Sequence, residues 1–232
     1  VQRQIGGWVA QFAYGHTRRA NSVTALGWDA ADDMEARIDE VEAFYARHAQ
    51  PAVFRLTRFS APEALDAALD RRGYERRAGA LVLRRALDPA EPLLAAAPEP
   101  EDLPLDAWIA EFARLHGSDP AQHTAHRAII EAIEAPRLCA ALPESGAPER
   151  SAACAIAVHD TGCVGIFDVV TAEALRGQGY GRRLMLGILA WGARRGARLA
   201  YLQVVETNMP ARRLYDALGF QEAYRYWYRV RI

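Results

Sequence analysis

The sequence predicts an α/β protein made of two packed units, and three observations carry that prediction. Short apolar alternations exchange with stretches of helical spacing along most of the chain. Five prolines, Pro89, Pro92, Pro98, Pro100 and Pro104, interrupt it near the middle among Ala and acidic residues. The stretch "ALDRRGYERR" has the same grammar as "LYDALGFQEA", with Gly73 and Gly219 standing 219 − 73 = 146 residues apart.

The elements follow in order. In the first half, Asp32–His48 reads as a helix, Ala52–Phe59 as a strand and Pro62–Arg72 as a helix. Gly73-Tyr74 then leads into a strand over Ala80–Arg84. The Pro-rich stretch 89–105 reads as a stiff, solvated linker between domains 1–88 and 106–232. Asp106–His116 has helical spacing, with Trp108, Ile109, Phe112 and Leu115 on one side, and Ala121–Glu134 is a second helix ended by Pro136. Strands are expected over Arg137–Leu142, Ala152–His159 and Cys163–Thr171. An amphipathic helix over 179–195 carries Leu184, Ile188 and Trp191 at i, i+4 and i+7. Leu199–Val205 is a strand, Pro210–Leu218 a short helix stopped by Gly219, and Glu222–Val230 the last strand.

Composition narrows the function. A chain of 232 residues buries about 70% of its unfolded surface and folds without a metal or disulfide staple. With 51% hydrophobic and 25% charged residues it is not a disordered chain. Twenty-eight basic residues against 29 acidic ones give no field that would select a nucleic acid or an anionic membrane. All 28 are arginine. The lack of lysine excludes a lysine Schiff base and a P-loop, and leaves arginine and backbone N–H groups to bind anions. Cys139, Cys154 and Cys163 form no CxxC and have apolar neighbours, which reads as buried, reduced thiols of a cytoplasmic protein. No apolar run reaches 18 residues and no secretory pattern opens the sequence as given.

The most informative segment is the β-branched strand that runs through Asp168, Val169, Val170 and Thr171 to Arg176-Gly177-Gln178-Gly179-Tyr180-Gly181, where a helix begins. Glycines let backbone N–H groups converge on a ligand at the positive end of a helix dipole, a geometry suited to a pyrophosphate. Arg176 and Arg182 add charge. A plain Gly-rich helix cap is one alternative. A dinucleotide fold fits less well, because its glycines follow the strand directly in GxGxxG spacing.

The Arg-x-x-Gly-x-Gly turn after a strand ending Val-Val-Thr resembles the acyl-CoA signature of the GNAT acetyltransferase superfamily. The segment "LQVVETNMPARRLYDALGF" resembles its second conserved block, with Asn208, Ala211, Leu214, Tyr215, Gly219 and Phe220 in register. The resemblance covers 106–232 and implies a mixed, mostly antiparallel sheet flanked by helices. The first half resembles the back portion of a degenerate second unit without the glycine turn, and "HTRRANSV" at 16–23 resembles tandem bacterial members.

The resemblance implies direct transfer of an acetyl group from acetyl-CoA to a small-molecule, peptide or protein amine, without metal, by a monomer or homodimer. A non-catalytic acyl-CoA-binding sensor or interaction module is the alternative. Under the transferase reading, Val169, Val170 and Thr171 pair with the pantetheine arm. Arg176, Gly177, Gln178, Gly179, Tyr180, Gly181 and Arg182 hold the pyrophosphate. Tyr215 donates to the thiolate as it forms, or only packs. Asn208 touches the cofactor side, caps a helix, or does both. Asp168 anchors the acceptor or acts as a water-mediated base, or is a carboxylate hydrogen-bonded near the core. Gln203 stands where some relatives carry glutamate, and Glu206 ends the same strand. His123 and His126 share a helix face without a third metal ligand fixed by spacing, whereas His116 borders the acceptor side. Tyr224, Tyr226 and Tyr228 alternate with Arg225 and Trp227, as sheet packing or as a cleft wall. Trp8, Trp28 and Arg18-Arg19 are candidates to close the cleft.

Overall fold

The computed structural model describes residues 1–29 and 31–231; Ala30 and Ile232, inside the two expected domains, lie outside the described residues. In chain order the elements are β1 (Gln2–Ile5), β2 (Trp8–Gln11), β3 (Val23–Ala25), α1 (Met34–Ala46), β4 (Val53–Thr57), α2 (Leu65–Arg71) and β5 (Glu75–Ala86). They continue as α3 (Pro92–Ala95), β6 (Glu101–Asp102), α4 (Leu105–His116), α5 (Thr124–Glu131), β7 (Arg137–Glu144), β8 (Ala147–Asp160) and β9 (Cys163–Thr171). The chain closes with α6 (Tyr180–Arg194), β10 (Leu199–Val205), α7 (Met209–Ala217) and β11 (Gln221–Val230). No helix among the described residues is long and apolar enough to cross a membrane.

Two compact units form, Val1–Leu81 with Tyr224–Ile232, and Val82–Ala223. The division therefore differs from the expected domains 1–88 and 106–232 in three places, the first being that residues 82–88 belong to the second unit. The last strand joins the first unit because Tyr226–Val230 pairs antiparallel with Val53–Thr57. Residues 89–105 are not a solvated linker. Leu94 is buried, Glu101 and Asp102 pair with Ala141 and Ala140, and the Pro98 carbonyl and the Pro100 ring sit against Gly187 of α6.

In the first unit the strands run β1-β2-β3-β4-β11, with the start of β5 beside β11. Sequence reading missed β1–β3, although Gly6-Gly7 between Ile5 and Trp8 is a two-residue hairpin signal, and Ile5 pairs with Trp8 across it. Ile38, Val41 and Tyr45 of α1 and Leu65 and Leu69 of α2 pack with Trp8, Phe54 and Leu56 of the strands. The Trp8 indole N–H donates to the Ala61 carbonyl at 2.8 Å, which satisfies it in the core. Trp8 and Trp28 flank the Arg37 guanidinium as structural packing. The aromatic tail packs in the sheet: Tyr226 and Tyr228 are buried, and Trp227 donates to Asp66 at 3.1 Å. Arg229 clamps β11 to α2 through Asp66 at 2.7 Å and Asp70 at 2.6 Å.

In the second unit the order is the end of β5, then β10-β9-β8-β7-β6. Across both units the β3/β4 and β9/β10 ladders are parallel, while β1/β2, β2/β3, β4/β11, β6/β7, β7/β8 and β8/β9 are antiparallel. The sheet is thus mixed and mostly antiparallel, as expected. Helix α6 is buried nearly all round from Leu184 to Ala193, instead of amphipathic. Gly192 lets it lie against Val164 of β9, and Gly187 admits the Pro98–Pro100 segment on another side. The expected helix over 121–134 is a 3-10 turn at Pro120–His123, capped by Asp119, followed by α5. Cys139 and Cys154 are buried as expected, whereas Cys163, at the first position of β9, is partly exposed.

One ion pair ties α4 to β8. Arg114 forks onto Glu111 at 3.0 and 2.8 Å. Glu111 accepts from the Ser151 N–H at 2.5 Å, and Arg114 donates to the Ser151 carbonyl at 2.6 Å. The Arg114 guanidinium, with help from the Ser151 N–H and against the pull of burial, holds the Glu111 carboxyl at about 2 instead of 4.5. A depressed carboxyl pKa stabilises the fold above its unfolded value and loses that contribution as pH falls through the folded value. Glu111→Gln should cost about 2 kcal/mol at neutral pH, with the difference from wild type shrinking as pH falls from about 4.5 towards 2. Urea unfolding of both proteins at neutral and acid pH checks this.

Candidate functional site

The site begins where two parallel strands stop pairing. The β9/β10 ladder runs from Leu199 opposite Cys163 to Leu202 opposite Ile166, yet β9 continues to Thr171 and β10 to Val205. On its other edge β9 keeps β8, but with a bulge. Cys154 faces Val170 and Ile156 faces Phe167, so Asp168 and Val169 stand against Ala155 alone. Asp168 takes the left-handed conformation there, at φ +54°. The Trp108 indole N–H bridges the Ala140 and Ala155 carbonyls, both at 3.2 Å, and so fixes the strand opposite the bulge.

After Thr171 a 3-10 turn over Glu173–Leu175 leads into the glycine turn. Gly177 and Gly179 have φ of +78° and +84°, a conformation open to glycine at little cost. Gly179 is the N-cap of α6 and has no side chain with which to cap it. The first N–H groups of α6 therefore keep their hydrogen-bonding capacity at the positive end of the helix. Tyr180 anchors the turn from below, its hydroxyl accepting from the Ser145 N–H at 3.1 Å.

Helix α7 supplies the third side. Asn208 caps it by accepting from the Ala211 N–H at 3.2 Å. Tyr215 lies on the buried side of α7 next to Phe220, with ring centroids 6.0 Å apart. Burial pushes its phenol up to about 12.

These elements enclose a cleft of about 690 Å³ within the second unit. Val169, Val170, Thr171, Arg176, Gly177, Gly179, Tyr180, Gly181, Arg182, Asn208 and Tyr215 all line it. Two residues expected at the site do not. Gln178 folds back on its own turn, donating to the Ala174 carbonyl at 3.1 Å. Asp168 sits beside Val169 off the cleft wall, with its Oδ2 2.9 Å from His126 Nε2. His116, expected on the acceptor side, lines the cleft and packs on Phe112 with ring centroids 4.2 Å apart.

The contact of His126 with Asp168 was missed from sequence, although a signal existed. His126 and Ile130 occupy the buried face of α5 at i and i+4, and a histidine on an apolar face needs a polar partner. His123 bonds Ser118 Oγ at 2.8 Å, and burial, reinforced by His126 and His116, lowers its pKa. Among the described residues no cluster of His, Cys, Asp and Glu is arranged to hold a metal ion.

Known proteins resemble this chain at three levels. The family described as Probable histone acetyltransferase Rv0428c C-terminal matches residues 1–229. An uncharacterized N-acetyltransferase of Bacillus subtilis (strain 168), YobR, is 30% identical over 239 residues, 99% of this chain and 92% of that protein. Among solved structures, a GCN5-related N-acetyltransferase from Kribbella flavida superposes with a TM-score of 0.63 at 15% identity, covering 99% of this chain and 88% of that one. A second, from Sphaerobacter thermophilus, gives 0.61 at 20% identity over 85% of this chain and 64% of its own, so this chain spans less than two thirds of it. A tandem GNAT protein from the clavulanic acid biosynthesis pathway gives 0.62 at 17% identity, over 85% of this chain and 69% of its own. At these identities the solved structures show the shared fold.

The glycine turn makes a local prediction. Gly179→Ala meets no atom within 4 Å, so its cost is backbone conformation alone, about 1 kcal/mol. Thermal denaturation should show a modest fall in Tm and retained cooperativity.

Proposed function

The chain belongs to the GNAT acetyltransferases, and we propose that it moves an acetyl group from acetyl-CoA to an amine by direct transfer, without a covalent enzyme intermediate. The observation that carries this is the single cleft in which the end of β9, the uncapped N-terminus of α6 and Tyr215 of α7 meet. The donor set suits the acyl donor. Backbone N–H and C=O groups of Val169, Val170 and Thr171, beyond the end of the β10 ladder, would pair with the amide-bearing pantetheine arm. The glycine turn, Arg176 and Arg182 would hold the pyrophosphate.

The chemistry asks two things of the protein. The acceptor ammonium must shed one proton before its nitrogen attacks the thioester carbon. The C–S bond then breaks as the amide forms, a second proton leaves nitrogen, and sulfur finally takes one up. Tyr215 stays protonated far above neutral pH, so its hydroxyl donates a hydrogen bond to sulfur as negative charge develops there. Asp168, with its carboxylate about one third exposed beside the cleft wall, is the anchor or water-mediated base for the acceptor cation.

The first unit repeats the order of the second without its binding turn. Met34, Val53 and Glu75 begin α1, β4 and β5, and Tyr180, Leu199 and Gln221 begin α6, β10 and β11, each pair 146 apart (180 − 34, 199 − 53, 221 − 75). At the start of α1, however, Asp33 accepts from the Glu35 and Ala36 N–H groups at 2.9 and 3.2 Å. Its own carboxylate takes the place an anion would need. We infer that this unit is a degenerate copy that binds no acyl-CoA.

The test is release of free thiol from acetyl-CoA across a panel of small amines and peptides with free N-termini. Tyr215→Phe should lower kcat by about 100-fold and leave acetyl-CoA binding within about threefold. With Tyr215 protonated to about 12, wild-type activity should rise with pH as the acceptor deprotonates and show no decline from loss of the acid below about pH 10. Failure to bind acetyl-CoA, or binding without turnover on any amine, would overturn the proposal.

A further inference from the structure

The feature of the second unit that acetyl transfer leaves unexplained is the buried histidine behind the cleft. We propose that His126 is a positioning residue: its Nε2–H holds the Asp168 carboxylate in the orientation that receives the acceptor's ammonium group. This rests on the reading of Asp168 as the acceptor anchor and goes beyond it, because it gives that anchor a support on a different element.

The argument starts from the backbone. In a regular strand Asp168 would alternate with Phe167 and Val169, and its direction would follow from the pleat. The bulge opposite Ala155 and the φ of +54° break that alternation, so the pleat no longer determines where the carboxylate points. A left-handed non-glycine residue persists where its surroundings hold it. One such restraint is His126, whose Nε2 lies 2.9 Å from Oδ2.

The two partners differ in exposure. The His126 side chain is 5% exposed and that of Asp168 31%. The imidazole is inside the protein, and the carboxylate alone reaches towards solvent, next to Val169 on the cleft wall. His126 therefore touches no substrate. A carboxylate only accepts, so the pairing assigns the proton to Nε2. The ring has little freedom to turn away, because Phe112 and Trp108 meet it edge-on, with centroids 5.0 and 5.8 Å distant. Aromatic residues of α4 thus fix a histidine of α5, and the histidine fixes a carboxylate on β9.

This arrangement also indicates the class of acceptor. A partly exposed carboxylate whose second oxygen is held from behind suits a cation, so the acceptor is an amine that arrives as ammonium. An acceptor carrying its own negative charge near the reacting nitrogen would be repelled.

Two substitutions separate positioning from packing. His126→Gln keeps an N–H donor at the end of a side chain of similar reach, whereas His126→Leu fills the apolar site without a donor. Thiol release with the fastest amine of the panel above is the first readout. His126→Leu should lower kcat/KM for the amine by about 10- to 100-fold, with the KM for acetyl-CoA within about twofold of wild type. His126→Gln should return to within about threefold of wild type. Asp168→Asn should lose about as much as His126→Leu, and adding His126→Leu to it should cost little more.

The second readout needs no acceptor. In ring ¹⁵N NMR of the full chain, His126 should appear as the Nε2-protonated form, and its Nε2 signal should move in Asp168→Asn while those of His48 and His159 stay in place. Wild-type activity in His126→Leu, equal losses in His126→Leu and His126→Gln, or a His126 signal indifferent to Asp168→Asn would each overturn the proposal. Wild-type activity in Asp168→Asn would instead remove the anchor reading beneath it, so the two failures are distinguishable.

Discussion

Everything at the site depends on a ladder that stops early. Backbone N–H and C=O groups inside a protein need partners, and a pair of parallel strands ordinarily supplies them along its whole length. Here β9 and β10 stay in register only as far as Ile166 and Leu202. Beyond that point β9 runs on through Val169, Val170 and Thr171, which line the cleft. An extended, amide-bearing ligand arm is the natural complement to such a strand end. The bulge at Asp168 serves the same end from the other side, because it changes the course of β9 while β8 remains attached.

The opening would be of little use unless the helix at its mouth were held firmly. Helix α6 carries the glycine turn at its N-terminus, and its body is buried on nearly every side. Two glycines make that possible. At Gly192 a side chain would strike Val164 on the sheet, and at Gly187 one would strike Pro98 and Pro100. The Pro-rich stretch thus packs as an outer wall of the unit that holds the cleft. Its prolines suit that task, since the stretch packs through rings and turns as well as through the two-residue strand β6.

The two units share an arrangement of elements but differ at the start of the long helix. Strand, helix, parallel strand, short helix and strand recur in the same order, and the long helix, the parallel strand after it and the last strand each start 146 residues apart (180 − 34, 199 − 53, 221 − 75). What differs is the first turn of the long helix. Gly179 leaves the N–H groups of α6 without a side-chain cap, while Asp33 closes those of α1. Aspartates at Asp32 and Asp33 would also repel a pyrophosphate electrostatically. On the proposed reading, a few side chains at a helix start separate a unit that would bind an anion from one that would not.

Much of this protein is written locally and so was legible in its sequence. Glycines at Gly177 and Gly179, the cap at Asn208 and the spacing of Tyr215 in α7 each follow from short-range rules of backbone conformation and helix geometry, and the structure brings them to one cleft. The long helices and the later strands are likewise local in origin, since apolar periodicity over a dozen residues suffices to specify them. Three things were settled only by tertiary structure. The 89–105 stretch looks like a linker because the contact of Pro98 and Pro100 with Gly187 joins positions 89 and 87 residues apart (187 − 98, 187 − 100). The last strand looks like part of the second half because nothing in Tyr226–Val230 announces pairing with Val53–Thr57. The Asp168 bulge, and with it the contact to His126, exists only because β8 and β9 differ by one residue in the length of chain between paired positions. Sequence periodicity reports which face of an element is apolar; which other element covers that face, and where a ladder slips, depends on contacts between residues far apart along the chain.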